Sequence, residues 1–296
     1  MTPEPSPARP YSRRRMTACF AATVALIAVL VFDHTAATVY AAQPLGSPAL
    51  NGGLPLTVAH RGDPAGAPEN TLPAFESALR AGVDVLELDL QLSADGEAVI
   101  IHDETVDRTT NGTGAIAELS LAELQALDAG SWYGSGWRGV TIPTFSEFLP
   151  LLQRSSASAI IEFKGVWPAD GVAPVIAAIY RFGVQDRVVL ASFETETLLE
   201  LAREAPSLPR AIIVRRLPDD PVALAAAHGA SAVITSMRSF QVEPEAAQQL
   251  REAGLMMIVY TLNRGDLWLA ARELGIDAIV TDAPRRLAQT HESLRG

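Results

Sequence analysis

A single cysteine, Cys19, stands in 296 residues, so the chain forms no internal disulfide and must hold itself together by packing. It lies inside an apolar run with no hydrophobic stretch before it, and so fits a lipid-attachment site poorly. Positive charge is scarce as well. The formal net charge is −11, and no basic stripe follows the N-terminus, which argues against a nucleic-acid partner because phosphate backbones are neutralised by clustered Lys and Arg. An anionic substrate would have to be met by a metal or by a few local cations. Long uncharged apolar stretches are confined to residues 16–32, preceded by Arg9, Arg13, Arg14 and Arg15 and followed by Val39-Tyr40-Ala41 and Ala42-Gln43. Residues 1–42 therefore read as a signal peptide or signal anchor: cleavage after Ala41 or Ala42 would release an exported protein, periplasmic or extracellular. A run of this length is also at the lower edge of what spans a bilayer, and left uncleaved it would tether the protein to a membrane.

What remains is rich in apolar residues, 48% over the whole chain, enough to bury a large core. Residues 43–54 are Pro-, Gly-, Ser- and Asn-rich and read as a linker into one catalytic domain, 55–296. Short Val- and Ile-rich runs recur at 56–60, 83–90, 159–163, 187–192, 210–214, 231–235, 255–261 and 277–281. Most gaps between them hold amphipathic segments (174–182, 194–205, 221–228, 243–253, 266–274) that stop at Gly or Pro, and Asn70 precedes another that stops at Gly82. Eight such units predict an α/β fold, a (β/α)8 TIM barrel, with a doubly wound open sheet as the alternative. A long insertion, about 103–157, follows the second strand. It contains a helix candidate at 121–127 and the aromatic loop Trp132-Tyr133-Gly134-Ser135-Gly136-Trp137, which either forms part of a binding site or packs the insertion onto the barrel.

The stretch 83–91, Val-Asp-Val-Leu-Glu-Leu-Asp-Leu-Gln, reads as a buried strand carrying acids that a core does not tolerate unpaired. Glu87 and Asp89 share one face, roughly 7 Å apart along the strand. The turn Ala94-Asp95-Gly96 sends the chain back, so that an extra strand over 97–103 places Ile101-His102 beside Leu88-Asp89. Strand ends elsewhere supply His60, Arg61, Glu162 and Lys164, and all converge on the C-terminal rim of a barrel. Glu87, Asp89 and Glu162 offer oxygen ligands only, which favours a hard divalent cation, Ca2+ or Mg2+. His60 and His102 can divide proton transfer, and Arg61 and Lys164 can hold a phosphate. His228, at a helix end, and His291, in the C-terminal tail, rank low.

At these residues the chain resembles the glycerophosphodiester phosphodiesterase family. The motifs that carry the resemblance are His60-Arg61-Gly62, Pro68-Glu69-Asn70-Thr71, Glu87-Leu88-Asp89-Leu90, Asp95-Gly96, Val99-Ile100-Ile101-His102-Asp103, Arg108-Thr109-Thr110-Asn111-Gly112, Glu162-Phe163-Lys164, Ser192-Phe193 and Thr281-Asp282-Ala283-Pro284. They run from about Val58 to Arg286. The resemblance implies a TIM barrel, a divalent cation on Glu87, Asp89 and Glu162, acid–base work by His60 and His102, and products sn-glycerol 3-phosphate and an alcohol. Tyr260 stands where the family usually has tryptophan, which bears on contacts with the substrate headgroup. Glu69 and Asp103 are placed either behind the residues that do the chemistry or in contact with substrate. The alternatives are a phospholipase-type phosphodiesterase acting on intact lipid, which exposed apolar side chains in the 131–140 loop would favour, and a metal-free glycosidase using two carboxylates.

Overall fold

Side chains alternate inward and outward along nine short strands, and that alternation organises the molecule. The computed structural model describes Leu45 and residues 53–295. The strands are β1 (Leu56–Ala59), β2 (Val85–Leu92), β3 (Ala98–Ile100), β4 (Ser158–Phe163), β5 (Val188–Ser192), β6 (Arg210–Ile213), β7 (Ala232–Ser236), β8 (Met256–Tyr260) and β9 (Ala278–Thr281). All but β3 pair in parallel, and β1 bonds to both β2 and β9, so eight strands close into a (β/α)8 TIM barrel. β3 pairs antiparallel with β2, Leu90 opposite Ile100, and Ile101 N–H donates to the carbonyl of Asp89 at 3.0 Å.

Residues of one parity, among them Val58, Val85, Ile160, Ala211, Ile258 and Val280, fill the barrel interior as one buried cluster. Those of the other parity, such as Leu86, Leu88, Ile161 and Leu190, pack outward beneath the helices. Both faces of every strand are therefore apolar, which is why the strands read as continuous Val- and Ile-rich runs rather than alternating ones. Leu45 and Leu54, within the stretch read as a linker, are buried at 4% and 2% exposure, and Leu45 joins the interior cluster.

The surrounding helices are α1 (Leu72–Arg80), α2 (Leu121–Gln125), α3 (Phe145–Arg154), α4 (Ala169–Arg181), α5 (Thr195–Glu204), α6 (Pro221–Ala227), α7 (Met237–Val242), α8 (Pro244–Glu252), α9 (Gly265–Glu273) and α10 (Pro284–Arg295). Helix α3 lies inside the stretch read as an insertion, yet it is the barrel's own crossover between β2 and β4, packed by Phe145, Phe148, Leu149 and Leu152. Its start is a capping box, with Thr144 accepting from Glu147 N–H and Glu147 reaching back to Thr144. α7 and α10 add to the helices expected. None of the helices among the described residues is long and apolar enough to cross a membrane, and the apolar run 16–32 lies outside those residues.

Two aspartates pin the N-terminal edge of the barrel. Asp84 and Asp277 follow the helix-ending glycines in Gly82-Val83-Asp84 and Gly275-Ile276-Asp277, and their carboxylates accept the backbone N–H of Thr57 and Met257, each at 2.7 Å. His291, read as part of a tail, sits buried on α10 with Nδ1 3.3 Å from Thr57 Oγ1. Burial, with the charges of Arg295 and Arg272, lowers its pKa from 6.5 to about 4. The folded ring stays neutral where the unfolded one would take a proton, so this stability is present above pH 6.5 and is lost as pH falls toward 4. His291→Gln should therefore narrow the gap between the melting temperatures at pH 7 and pH 4.5. A gap equal to the parent's would rule this histidine out as an acid-labile element.

Gly62 turns the chain from β1 toward α1 with φ +87°, and a Cβ there would stand 2.6 Å from the backbone carbonyl carbon of Ala74. Both the left-handed backbone and the contact penalise any side chain. Gly62→Ala should cost about 3 kcal/mol. In a domain of this size that is a fall of roughly 6–12 °C in melting temperature. Because Gly62 follows His60-Arg61, activity should fall with it; a variant melting like the parent would show that Ala74 can move away freely.

Candidate active site

At the C-terminal rim the inward parity continues, but the residues change from aliphatic to ionisable. Val58 is succeeded by His60, Val85 by Glu87 and Asp89, Ile160 by Glu162 and Lys164, and Val280 by Asp282. On the opposite wall the same step leads to Phe193, Arg215 and Tyr260. With Gln91 and His102 to Thr105 from beside β3, the rim side chains other than Asp282, which stands behind His60, surround a cavity of about 760 Å³. Every residue expected in the site from sequence, apart from Glu69, lines it.

Glu87, Asp89 and Glu162 have carboxylate oxygens within 4.8 Å of one another, the one group of this kind among the described residues. β2 and β4 bring this about, since Asp89 lies directly opposite Glu162 in their register. The surroundings hold the three unequally. Asp89 accepts a hydrogen bond from Asn70 Nδ2 at 2.8 Å and forms ion pairs with Arg61, whose Nε lies 3.3 Å away without an aligned hydrogen bond, and with Lys164 Nζ at 3.4 Å. Burial would raise its pKa, but Lys164 and Arg61 pull it below the usual value. Among the described residues Glu87 accepts one hydrogen bond, from the Arg61 backbone N–H at 2.9 Å. Burial and the charge of Asp89 push Glu87 up to about 8, and push Glu162 up to about 7. Lys164 Nζ is 2.8 Å from Glu162 Oε1, yet that buried oxygen lacks an aligned hydrogen bond. An all-oxygen donor set, two members of which resist ionising and one of which has an oxygen without a donor, fits a hard divalent cation. Lys164 is the only lysine in the whole chain.

Arg61 and Asn70 both have φ +55°, unusual for residues with a side chain, and Asn70 N–H donates to the Arg61 carbonyl at 3.0 Å. Each is held in the left-handed region by bonds to the carboxylates, Arg61 through its N–H to Glu87 and Asn70 through its amide to Asp89. Arg61 Nη1 also pairs with Glu69 at 2.7 Å. Glu69 thus stands behind Arg61 rather than at the carboxylate group.

Both cavity histidines are anchored through Nδ1. His60 donates to Asp282 Oδ1 at 2.6 Å and His102 to Asp103 Oδ1 at 2.7 Å, which leaves Nε2 as the free nitrogen of each ring. Burial disfavours the charged His60, but the Asp282 hydrogen bond and the field of Glu87 outweigh it and the pKa is raised. For His102 burial dominates and the pKa is lowered. Asp282 is itself held by Asn263 Nδ2 at 2.7 Å, and Gln91 Nε2 donates to the carbonyls of His102 and Asp103. Sequence reading assigns no role to Asp282, Asn263, Asn70, Gln91 or Arg108. Asp282 and Gln91 have a local signal, because they lie two residues past Val280 and Asp89 with the parity of the barrel interior.

The aromatic loop does not reach the cavity. Tyr133 packs edge-on against Trp132 and Trp137 at 5.7 and 6.3 Å, Trp132 Nε1 donates to the Ala129 carbonyl, and Asp128 accepts the N–H groups of Gly130, Ser131 and Gly139. The loop packs on itself, and Trp132 is its one exposed large apolar side chain. Tyr260 lines the cavity with its ring against Phe193 at 6.3 Å.

Residues 60–286 match the model of the glycerophosphoryl diester phosphodiesterase family. The chain belongs to this family. A glycerophosphodiester phosphodiesterase of Caldanaerobacter subterraneus subsp. tengcongensis is 35% identical over 234 residues, covering 78% of this chain and 96% of that protein. Among solved structures, a glycerophosphodiester phosphodiesterase of Agrobacterium tumefaciens aligns with TM-score 0.69 at 32% identity, over 80% of this chain and all of that one. A phosphodiesterase of Oleispira antarctica, in complex with the product sn-glycerol-3-phosphate, aligns with TM-score 0.75 at 29% identity, over 81% and 97% of the two chains. The chain is accordingly an enzyme of this class.

Proposed function

We propose that the enzyme hydrolyses glycerophosphodiesters to sn-glycerol 3-phosphate and an alcohol in a reaction that depends on a divalent cation, Ca2+ or Mg2+, and on two histidines. The observation that carries this reading is the convergence, in one cavity, of three carboxylates with two histidines whose Nδ1 atoms are both tied to aspartate. Glu87, Asp89 and Glu162 would hold the cation, whose positive charge offsets the negative charge that builds on the phosphodiester. Arg61 and Lys164 bind the phosphate oxygens. Of the two Nε2 atoms, one takes the proton of the attacking hydroxyl and the other returns a proton to the departing alkoxide. One route is attack by the glycerol 2-hydroxyl on phosphorus, with a cyclic phosphate that water then opens; direct attack by water is the variant. Tyr260 borders the space left for the substrate's organic groups. The product complex of the Oleispira antarctica relative supports sn-glycerol 3-phosphate as the product here.

The deciding experiment incubates the protein with a panel of glycerophosphodiesters and measures glycerol 3-phosphate release, with chelator and after Ca2+ or Mg2+ is restored. Release that a chelator abolishes and a cation restores is expected; undiminished release in chelator would sink the metal-dependent reading. A glycerol substrate lacking the 2-hydroxyl should resist cleavage, and hydrolysis at the full rate would replace the cyclic route with direct attack by water. We further propose that the domain works outside the cytoplasmic membrane, released from its leader or tethered by it. Cell fractionation with N-terminal sequencing of the mature protein tests this.

A further inference from the structure

We propose that Arg108 is a positioning residue of this active site, one guanidinium that sets the attitude of both His102 and Arg61. The inference rests on the roles given above to those two side chains. Arg108 bonds to two carboxylates at once. Its Nε and Nη2 meet Asp103 at 2.5 and 3.1 Å, and its Nη1 and Nη2 meet Glu69 at 2.9 and 2.7 Å. The particular oxygens matter. Nη2 lies on Asp103 Oδ1, the atom that accepts from His102 Nδ1, and on Glu69 Oε1, the atom that accepts from Arg61 Nη1. A single nitrogen is thus shared by the two oxygens that aim a proton-transfer group and a phosphate-binding group.

His102 needs such a hold because little else fixes it. β3 ends at Ile100, and past it the backbone is tied to the barrel by the N–H of Ile101 and by Gln91. The ring's attitude therefore depends on Asp103, and Asp103 on Arg108. The local sequence presents Arg108 stiffly: Thr110 Oγ1 donates to the Val106 carbonyl and accepts from Gly112 N–H, and Asp107 accepts from Gly114 N–H. Without the guanidinium, Asp103 and Glu69 face each other as like charges and move apart, releasing both groups they orient. A lysine would replace it only in part, since the three donors of one ammonium cannot reproduce the four bonds that the planar guanidinium makes to the two carboxylates.

Arg108 is 44% exposed, and an ordinary surface ion pair there would contribute almost nothing to turnover. Positioning predicts otherwise, and a cycle of Arg108→Gln, His102→Ala and the double variant, assayed on a glycerophosphodiester at saturating cation, separates the two. Arg108→Gln should lower kcat by about ten- to a hundredfold, the usual effect of losing an orienting partner. Arg108→Lys should recover only part, and keeps the test open should the Gln variant not fold. In the His102→Ala background the same change should leave kcat where it is, because the group it orients is gone, while KM still rises through Arg61. An equal fold-loss of kcat in both backgrounds, or parental kcat and KM in Arg108→Gln, would overturn the inference. Parental kcat in His102→Ala alone would instead defeat the proposed function.

Discussion

Glu87→Gln, Asp89→Asn and Glu162→Gln should each lower turnover by about a thousandfold or more, since a cation at the reacting phosphate contributes several kcal/mol and each 1.4 kcal/mol is a factor of ten. Fold should survive. Each amide keeps the shape of the acid, and in Glu87→Gln the new side-chain carbonyl could still accept the Arg61 N–H that Glu87 now accepts at 2.9 Å. Measured in chelator, Glu87→Gln should melt no lower than the parent, because it removes one of three crowded carboxylates. The parent should lose thermal stability when its cation is chelated. A single variant that binds cation and turns over like the parent removes that residue from the ligand set. Proton release supplies a second readout. With Glu87 raised to about 8 and Glu162 to about 7, the cation-free site carries protons at pH 7 that a cation must displace. The binding heat at pH 7 should therefore depend on the ionisation enthalpy of the buffer, and at pH 9 it should do so far less. Buffer-independent heat at pH 7 would show that the carboxylates are already ionised.

His60→Ala and His102→Ala should each reduce kcat by about 10²–10⁴-fold, and the double variant by less than the product, because both act on one displacement. The anchoring aspartates extend the prediction. Asp282→Asn and Asp103→Asn offer an amide that can donate to Nδ1, which favours the tautomer with the proton on the cavity-facing nitrogen. Both should slow turnover with little change in KM. A substrate whose leaving group is a nitrophenolate needs no protonation on departure, so it should rescue only the variant lacking the general acid. Equal rescue of both histidine variants, or of neither, would defeat the division of labour between the rings.

The ease with which the barrel is read from sequence has a physical cause. All eight expected strands are present because parallel strands are buried on both faces, and their apolar runs stop where helix-ending glycines and caps begin. Helix α3 escapes a sequence reading although Thr144-Phe145-Ser146-Glu147 spells its capping box, since Pro150 and the long preceding excursion mask the periodicity. The aromatic loop gives no such guidance. Whether Trp132, Tyr133 and Trp137 pack on each other or reach into the site depends on where Asp128 turns the chain, and that is settled by four hydrogen bonds to one carboxylate.

The chemistry divides along the same line. Period-two geometry is local, so the pairing of Glu87 with Asp89 on one face, and the turn that returns His102 to β2, follow from the order of residues alone. The partners of these groups do not. His60 meets Asp282 across 222 positions because β9 closes the ring against β1. Asn70 reaches Asp89, and Arg108 reaches Glu69 across 39, through loops whose paths are decided by what they pack against. A side chain's face is a property of its own strand. Its hydrogen-bond partner is a property of barrel closure, which joins strand ends that have no local relation in the chain.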